Sequence, residues 1–166
     1  MVMKDYEFFA SPFLKQEKDF FKLDIVEEVF TRVSINDIIA VSYLLAPDFI
    51  QVNNYIFVAD LFNRYGEKST TFAEHVKKVK QLEKRFCGDS IKIEQAINSW
   101  SIIDFFCTQH SNKPLTDEEI ETFCEVLVYY WRIRVKELFP DKDIVVESGY
   151  EIMGELGLTI TVYQRR

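Results

Sequence analysis

The stretch TDEEIETFCEVLVYYWRIRVKELF, residues 116–139, predicts a long central helix on which the rest of the chain packs. Thr116 and Glu119 have the spacing of a capping box, in which each side chain accepts from the backbone amide of the other residue. Acidic residues fill the first turn and basic residues lie toward the other end, as the helix dipole favours. Two adjacent apolar stripes cover more than half of the circumference, so we expect other elements to cover several sides of this helix.

The chain of 166 residues is expected to form one α+β domain, residues 1–166, with helices packed on a small antiparallel sheet made from two β-hairpins. Within residues 49–62, two β-rich runs flank Asn53 and Asn54, and asparagine tolerates the left-handed conformation of tight turns. The run IVV at 144–146 and the alternating run LTITVY at 158–163 predict the second hairpin. Joined in one sheet, the two hairpins would offer a face to the long helix.

Shorter helices are predicted at about residues 34–47, 72–86 and 89–107. Ser34 caps the first of these helices and Pro47 ends it. Asp89 or Ser90 caps the third, whose apolar stripe includes Trp100 and Ile103.

The first part of the chain is rich in aromatic residues. Residues 1–22 either pack on the core or form an N-terminal arm, and Asp24 can cap a short helix, although a strand is also possible there.

Charge and cysteine content restrict the class of partner and the compartment. The net charge is −7, and residues 114–155 alone contain 11 acidic and four basic residues. An acidic chain repels phosphate backbones, so nucleic acid is not an expected partner. Three cysteines in no framework spacing indicate reduced thiols and a cytoplasmic location. Neither a secretory core nor a membrane span is predicted.

No residues are predicted to be catalytic, to bind a metal or to hold a cofactor. Asp104, Cys107 and His110 contain the groups of a thiol nucleophile, but their spacing is unspecific, and a buried inert cysteine is the simpler interpretation. The same Cys and His residues, with Cys124 and either His75 or Cys87, fit no structural zinc module.

A cluster of basic residues marks one side of the helix at 72–86. A basic face is predicted there, formed by Lys77, Lys80, Lys84 and Arg85, with Lys78 beside them. The expected role is a solvated helix face, because no glycine-rich anchor for phosphate precedes it.

The leading hypothesis is a small soluble acidic protein that acts by protein–protein interaction, as an adaptor, inhibitor or immunity-type protein. Surplus aromatic residues and charge asymmetry favour a basic protein partner, with a homodimer through the sheet edge as a simpler variant. The predicted interface residues are Asp141, Asp143, Glu147, Tyr129, Tyr130 and Tyr150.

The alternative hypothesis is a small-molecule site or an enzyme, with a pocket between the long helix and the C-terminal sheet. Tyr129, Tyr130, Trp131 and Tyr150 would line this pocket and Glu147 would supply its polar group. Nucleic-acid binding through the basic face ranks third.

Overall fold

The computed structural model describes residues 34–66, 71–106 and 115–166. The chain forms two compact units, Met1–Ile39 and Ala40–Arg166, and only residues 34–39 of the first unit are described. The single domain over residues 1–166 stays a prediction. The suggested arm at 1–22 and the element after Asp24 lie outside the described residues.

Helices and antiparallel strands follow one another along the described residues, and the predicted α+β class is confirmed. In chain order the elements are α1 (Ile35–Leu45), β1 (Phe49–Val52), β2 (Tyr55–Val58), α2 (Ala59–Arg64), α3 (Phe72–Arg85), α4 (Ser90–Asn98), β3 (Trp100–Ser101), a 3-10 helix (Ile102–Phe106), α5 (Asp117–Leu138), β4 (Ile144–Tyr150), a second 3-10 helix (Ile152–Gly154) and β5 (Leu158–Gln164).

The long helix α5 begins at the predicted cap and supplies much of the core. The Thr116 side chain accepts from the Glu119 amide and the Glu119 carboxylate accepts from the Thr116 amide, which completes the capping box. One stripe of α5 is buried, comprising Cys124, Leu127, Val128, Trp131 and Val135. Trp131 is 1% exposed, and its indole Nε1 donates to the Leu44 carbonyl at 2.9 Å. The remaining faces of α5 carry its exposed residues.

The first hairpin forms at the predicted turn. β1 and β2 pair with Val52 opposite Tyr55, and Asn53 adopts a positive φ of 55° between them. Helix α2 follows β2 directly, which the β-rich pattern of residues 49–62 did not indicate. Leu61 and Phe62 of α2 are buried in the core, so the end of this apolar run is helical rather than extended.

The second sheet contains a strand that helical periodicity concealed. Its order is β3-β5-β4, and Trp100 of β3 lies opposite Ile160 of β5. Helix α4 therefore ends at Asn98, well short of the predicted end near residue 107, and Trp100 and Ile103 do not belong to its stripe. Pairing with a strand some sixty residues away overrides the local pattern here.

The two hairpins do not join into one sheet, and two fully buried side chains of α4 explain why. The Glu94 carboxylate accepts from the Ile56 amide at 2.8 Å and from the Gln164 amide at 2.6 Å. The Asn98 amide group accepts from the Val58 amide and donates to the carbonyls of Ile56 and Val162, each at 2.9 Å. These side chains therefore bind the backbone groups of β2 and β5 that a neighbouring strand would otherwise bind.

The buried carboxylate between the sheets has a charged partner. Arg166 Nη2 lies 2.8 Å from Glu94 Oε1, and the Glu94 side chain is fully buried. A buried charge is tolerated when it is paired and hydrogen-bonded. The arrangement therefore connects Arg166, which follows β5, to the buried Glu94 of α4.

Candidate functional site

A groove runs between α5 and β4, in the region where the sequence places its candidate interface. Its volume is about 410 Å3, and we call it the α5–β4 groove. It is lined by Glu125, Val128, Tyr129, Arg132, Ile133, Lys136 and Ser148. Tyr129 is 41% exposed and Ile133 is 50% exposed. The groove is an open, largely apolar surface with charged residues at its ends.

The predicted tyrosines are distributed around this groove rather than gathered inside it. Tyr129 lines the groove, and its ring meets that of Tyr130 edge to face with centroids 5.3 Å apart. Tyr130 and Tyr150 are exposed but are not part of the lining, and Tyr150 lies at the end of β4. Trp131 is buried on another side of α5. The structure thus brings one of the four aromatic residues of the predicted pocket into the groove.

Within the described residues, β4 is one of the two outer strands of its sheet. The hydrogen bonds of β5 show which backbone groups of β4 face outward. The Val162 carbonyl and the Gln164 amide of β5 bind side chains of α4, so both groups point away from β4. Val146 lies opposite Val162, and antiparallel pairs alternate between bonded and non-bonded positions. The backbone groups of Ile144, Val146 and the alternate residues after them therefore point away from β5.

The beginning of this outward edge is occupied by groups of the same chain, since the Ile144 amide donates to the Lys142 carbonyl at 3.1 Å. Arg132 Nε donates to the Val146 carbonyl at 3.0 Å. Further along, no hydrogen bond from the described part of the chain reaches the backbone amide or carbonyl of Ser148 or Tyr150. An unpaired strand edge is a template for pairing with another chain. The groove therefore has an apolar wall on α5, and the backbone groups of Ser148 and Tyr150 on β4 have no hydrogen-bond partner among the residues that the structure describes.

The two faces of β4 differ in chemistry. Ser148 lines the groove beside α5, near enough to the buried Cys124 thiol for its hydroxyl to act on the pKa of that thiol. Burial raises the pKa of this thiol, while Ser148 opposes the rise and the Glu125 charge reinforces it. Neighbouring side chains of a strand point to opposite faces, so Glu147 lies on the face away from α5. Its cross-strand neighbour there is Thr161.

The predicted acidic residues are fully or partly accessible. Asp141 and Asp143 are exposed in the turn before β4, and Glu147 is half-buried on the strand. Within residues 34–66, 71–106 and 115–166, none of these three carboxylates forms an ion pair. Their negative charge is thus available to an external cation.

The predicted basic face on α3 is exposed, with one exception. Lys77, Lys80, Lys84 and Arg85 are exposed, and the Arg85 guanidinium donates to the Tyr65 hydroxyl at 3.0 Å. Lys78, expected beside them, is instead buried. Its ammonium donates to the Phe62 carbonyl at 2.8 Å, and burial lowers its pKa. Lys78 therefore supports the core instead of adding charge to the face.

The other candidate constellations gain no support in the described residues. Asp104 lies on the first 3-10 helix, whereas Cys107 and His110 lie outside the described residues. No group of His, Cys, Asp and Glu residues suited to a metal ion occurs in the part of the chain that is described. None of the described helices is long and apolar enough to cross a bilayer.

A second groove, of about 600 Å3, was not expected from the sequence. Its walls come from α1, α2 and the two tryptophans, with Trp100 and Trp131 as the largest lining residues. Arg64 covers the Trp100 ring at 5.6 Å and pairs with Asp60 at 2.8 Å. Helical periodicity places Trp100 on the stripe of α4, so only the strand pairing of β3 reveals it as a groove residue.

Comparison with known proteins identified no match among protein-family models, curated proteins or solved structures.

Proposed function

We propose that this protein binds a protein partner by accepting an extended segment of it along the free edge of β4, in the α5–β4 groove. The observation that carries the proposal is the backbone edge at Ser148 and Tyr150, which no described residue pairs, beside the exposed side chains of Tyr129 and Ile133. Addition of a strand supplies main-chain hydrogen bonds, and an adjacent groove selects the alternate side chains. Both requirements are met on one side of α5.

The two faces of β4 specify the kind of segment. Side chains of an added strand alternate between the faces, so one set would enter the apolar groove and the other would lie beside Glu147. An opposite charge across neighbouring strands stabilises the pair by roughly 0.2–1 kcal/mol. Asp141 and Asp143 extend the negative charge at the start of the strand. The segment would therefore alternate apolar and basic residues, which agrees with a basic protein partner.

The same charges disfavour a homodimer through this edge. Antiparallel pairing of two β4 strands places equal faces on the same side, so the Glu147 faces of both copies would adjoin. Like charges on neighbouring strands are destabilising. Light scattering on the purified protein should accordingly give a monomer mass at micromolar concentration, and a dimer that Glu147→Gln strengthens would count for the homodimer.

A peptide series tests strand addition without altering the protein. The probe is the octapeptide KVKVKVKV, compared by fluorescence anisotropy with KKKKVVVV, which has the same composition without alternation. Two further versions carry N-methyl groups on one or the other alternate set of amides. Only one set of amides points at β4 in an added strand. Methylation of that set should weaken binding by about tenfold or more, since several bonds of about 0.5–1.5 kcal/mol are lost. Methylation of the other set should have little effect.

Two outcomes would refute strand addition. One is equal binding of the alternating and the blocked peptide, which would indicate attraction by charge alone. The other is an equal effect of both methylation patterns, which would mean that the peptide does not pair with a strand edge.

Variants of the acidic residues test whether the partner is recognised by its basic charge. Asp141→Asn, Asp143→Asn and Glu147→Gln together should slow association with the alternating peptide, and the difference should shrink at high salt. Folding should change by less than about 0.5 kcal/mol, because these are surface substitutions. Cys107→Ser and His110→Ala serve as controls that should leave binding unchanged. Loss of binding in either control, with folding intact, would favour an enzyme instead.

The alternative of a small-molecule site rests on the groove beside Trp100 and Trp131. It combines two indole rings with the polar side chains of Asp60 and Arg64. A ligand there would quench tryptophan emission, and Trp100→Phe should remove most of that response. A screen of small aromatic acids and amines that yields no saturable quenching would eliminate this alternative. The cytoplasmic location stays a prediction.

A further inference from the structure

The α5–β4 groove carries opposite charges at its two ends. Glu125 lies three turns before Lys136 on α5, and Arg132 lies one turn before Lys136. At 1.5 Å per residue, the acidic and basic ends are about 16 Å apart along the helix. Residues four apart share one side of a helix, so the two cations face the groove together.

Strand β4 runs back along α5, which places the basic end of the groove at the start of the strand. Arg132 binds the carbonyl of Val146, whereas Cys124, two turns earlier on α5, lies near Ser148 further along β4. Helix α5 and strand β4 therefore run in opposite directions, so the beginning of α5 lies beside the end of β4. The acidic end therefore lies beside the end of the strand.

Neither cation of the basic end is neutralised by the described residues. Arg132 and Lys136 form no ion pair there, in contrast to Arg134 on the same helix, which pairs with Glu137 at 2.9 Å. Arg132 uses its Nε–H for the Val146 carbonyl. A guanidinium has five N–H donors in a planar fork, so the other four remain to bind a carboxylate.

We propose that this basic end holds the C-terminal carboxylate of the bound segment, which therefore runs antiparallel to β4. The inference rests on the proposed function and assigns the direction and the end of the segment. The negative charge of Glu125 would repel a carboxylate, whereas the positive charges of Arg132 and Lys136 would attract it. A segment that ends there extends its earlier residues past Ser148 and Tyr150, against the direction of β4. Antiparallel pairing is also the slightly more stable arrangement.

The position of Arg132 favours a chain terminus over an acidic side chain as the source of the carboxylate. Side chains of an added strand stand perpendicular to the sheet, above or below it. Arg132 instead binds a backbone carbonyl at the edge itself, so its guanidinium lies in line with the backbone of an added strand. A terminal carboxylate continues that line, and capture of a C-terminal carboxylate is an established mode of peptide recognition.

The test compares three versions of one peptide on four forms of the protein. The peptides are KVKVKVKV with a free terminal carboxylate, the same peptide with a terminal amide, and an amidated version that ends in aspartate. The proteins are the wild type, Arg132→Gln, Lys136→Gln and the charge control Lys80→Gln, which removes an exposed cation from α3. Affinity is measured by anisotropy at constant ionic strength.

We expect the free acid to bind the wild type and Lys80→Gln about tenfold more tightly than either amidated peptide, because charge-assisted hydrogen bonds are lost on amidation. Arg132→Gln and Lys136→Gln should reduce that ratio toward one. Equal wild-type binding of the acid and the amide would overturn the terminal-carboxylate inference while leaving strand addition intact.

Three further results would also overturn the inference. An unchanged acid-to-amide ratio in both groove variants would mean that another group binds the carboxylate. Tight binding of the amidated aspartate peptide would mean that Arg132 and Lys136 bind an acidic side chain of the peptide rather than its terminal carboxylate. Absence of binding by all three peptides would refute the proposed function itself.

Discussion

Asn98 is the residue whose replacement tests the fold most directly. Its side chain is fully buried and makes three hydrogen bonds to backbone groups of two sheets. Asn98→Ala would leave the Val58 amide and the carbonyls of Ile56 and Val162 without that partner. Because β2 and β5 do not pair with each other here, no neighbouring strand can replace the lost bonds.

The expected loss of stability follows from the three backbone groups that lose their hydrogen-bond partner. A buried donor or acceptor without a partner costs about 1–3 kcal/mol. Water entering the vacated space can satisfy part of this demand. We therefore expect the free energy of unfolding to fall by about 3–5 kcal/mol, toward the lower end of the range that three such groups allow. For a chain of this size, that loss lowers Tm by roughly 6–20 °C.

Urea denaturation followed by circular dichroism measures the effect. Asn63→Ala on α2, an exposed asparagine, is the matched control and should change stability by less than about 0.5 kcal/mol. Ser99→Ala gives an intermediate case, since its hydroxyl donates one bond to the Thr161 hydroxyl at 3.0 Å. The free energy of unfolding of that variant should be lower by about 1 kcal/mol. It remains measurable even if Asn98→Ala does not fold.

A loss below about 1 kcal/mol for Asn98→Ala would refute this reasoning, since one neutral hydrogen bond alone contributes about that much. The two sheets would then be held together by apolar packing, and the α4 side chains would be incidental to the separation of the sheets.

Four other outcomes are expected. Trp131→Ala should lower the free energy of unfolding by about 3–5 kcal/mol, because the ring is 1% exposed and its Nε1 binds the Leu44 carbonyl; a urea midpoint close to that of the wild type would contradict the burial. In native protein, a thiol reagent should modify the exposed Cys87 quickly and the buried Cys124 slowly, and equal rates would count against the packing of α5. Denatured, non-reduced protein should titrate three thiols, whereas one thiol would indicate a disulfide. Since burial raises the pKa of Cys124 above its ordinary value of 9.0, its contribution to stability should be complete below that pH and decline above it, and Cys124→Ala should flatten this decline.

Local features of the fold were readable from the sequence because they depend on residues close together in the chain. The capping box of Thr116 and Glu119 spans three residues, and the turn at Asn53 requires only a side chain that tolerates positive φ. Burial of Trp131 followed from the apolar stripe of one helix. Of the predicted interface tyrosines, Tyr129 lines the α5–β4 groove whereas Tyr130 and Tyr150 do not, and the interface itself stays a prediction.

Separation of the two sheets was not predictable from the same rules. Glu94 and Ile56 are 38 residues apart, and Asn98 and Val162 are 64 apart. A glutamate and an asparagine in a helix are normally read as solvent-facing, because burial of either is unfavourable without partners. Only the assembled structure supplies those partners. It also shows that Trp100, predicted to lie in a helix, belongs to a strand.

The sequence by itself therefore determined the class of the fold, the length and polarity of α5, and the acidic surface around Asp141 and Asp143. Tertiary structure decided that β4 is an outer strand, that its outward edge lies beside the exposed side of α5, and that Arg132 reaches this edge. The physical reason is that periodicity and capping act within a few residues, whereas strand order depends on contacts between distant parts of the chain. A free edge is a property of that order, and no local pattern encodes it.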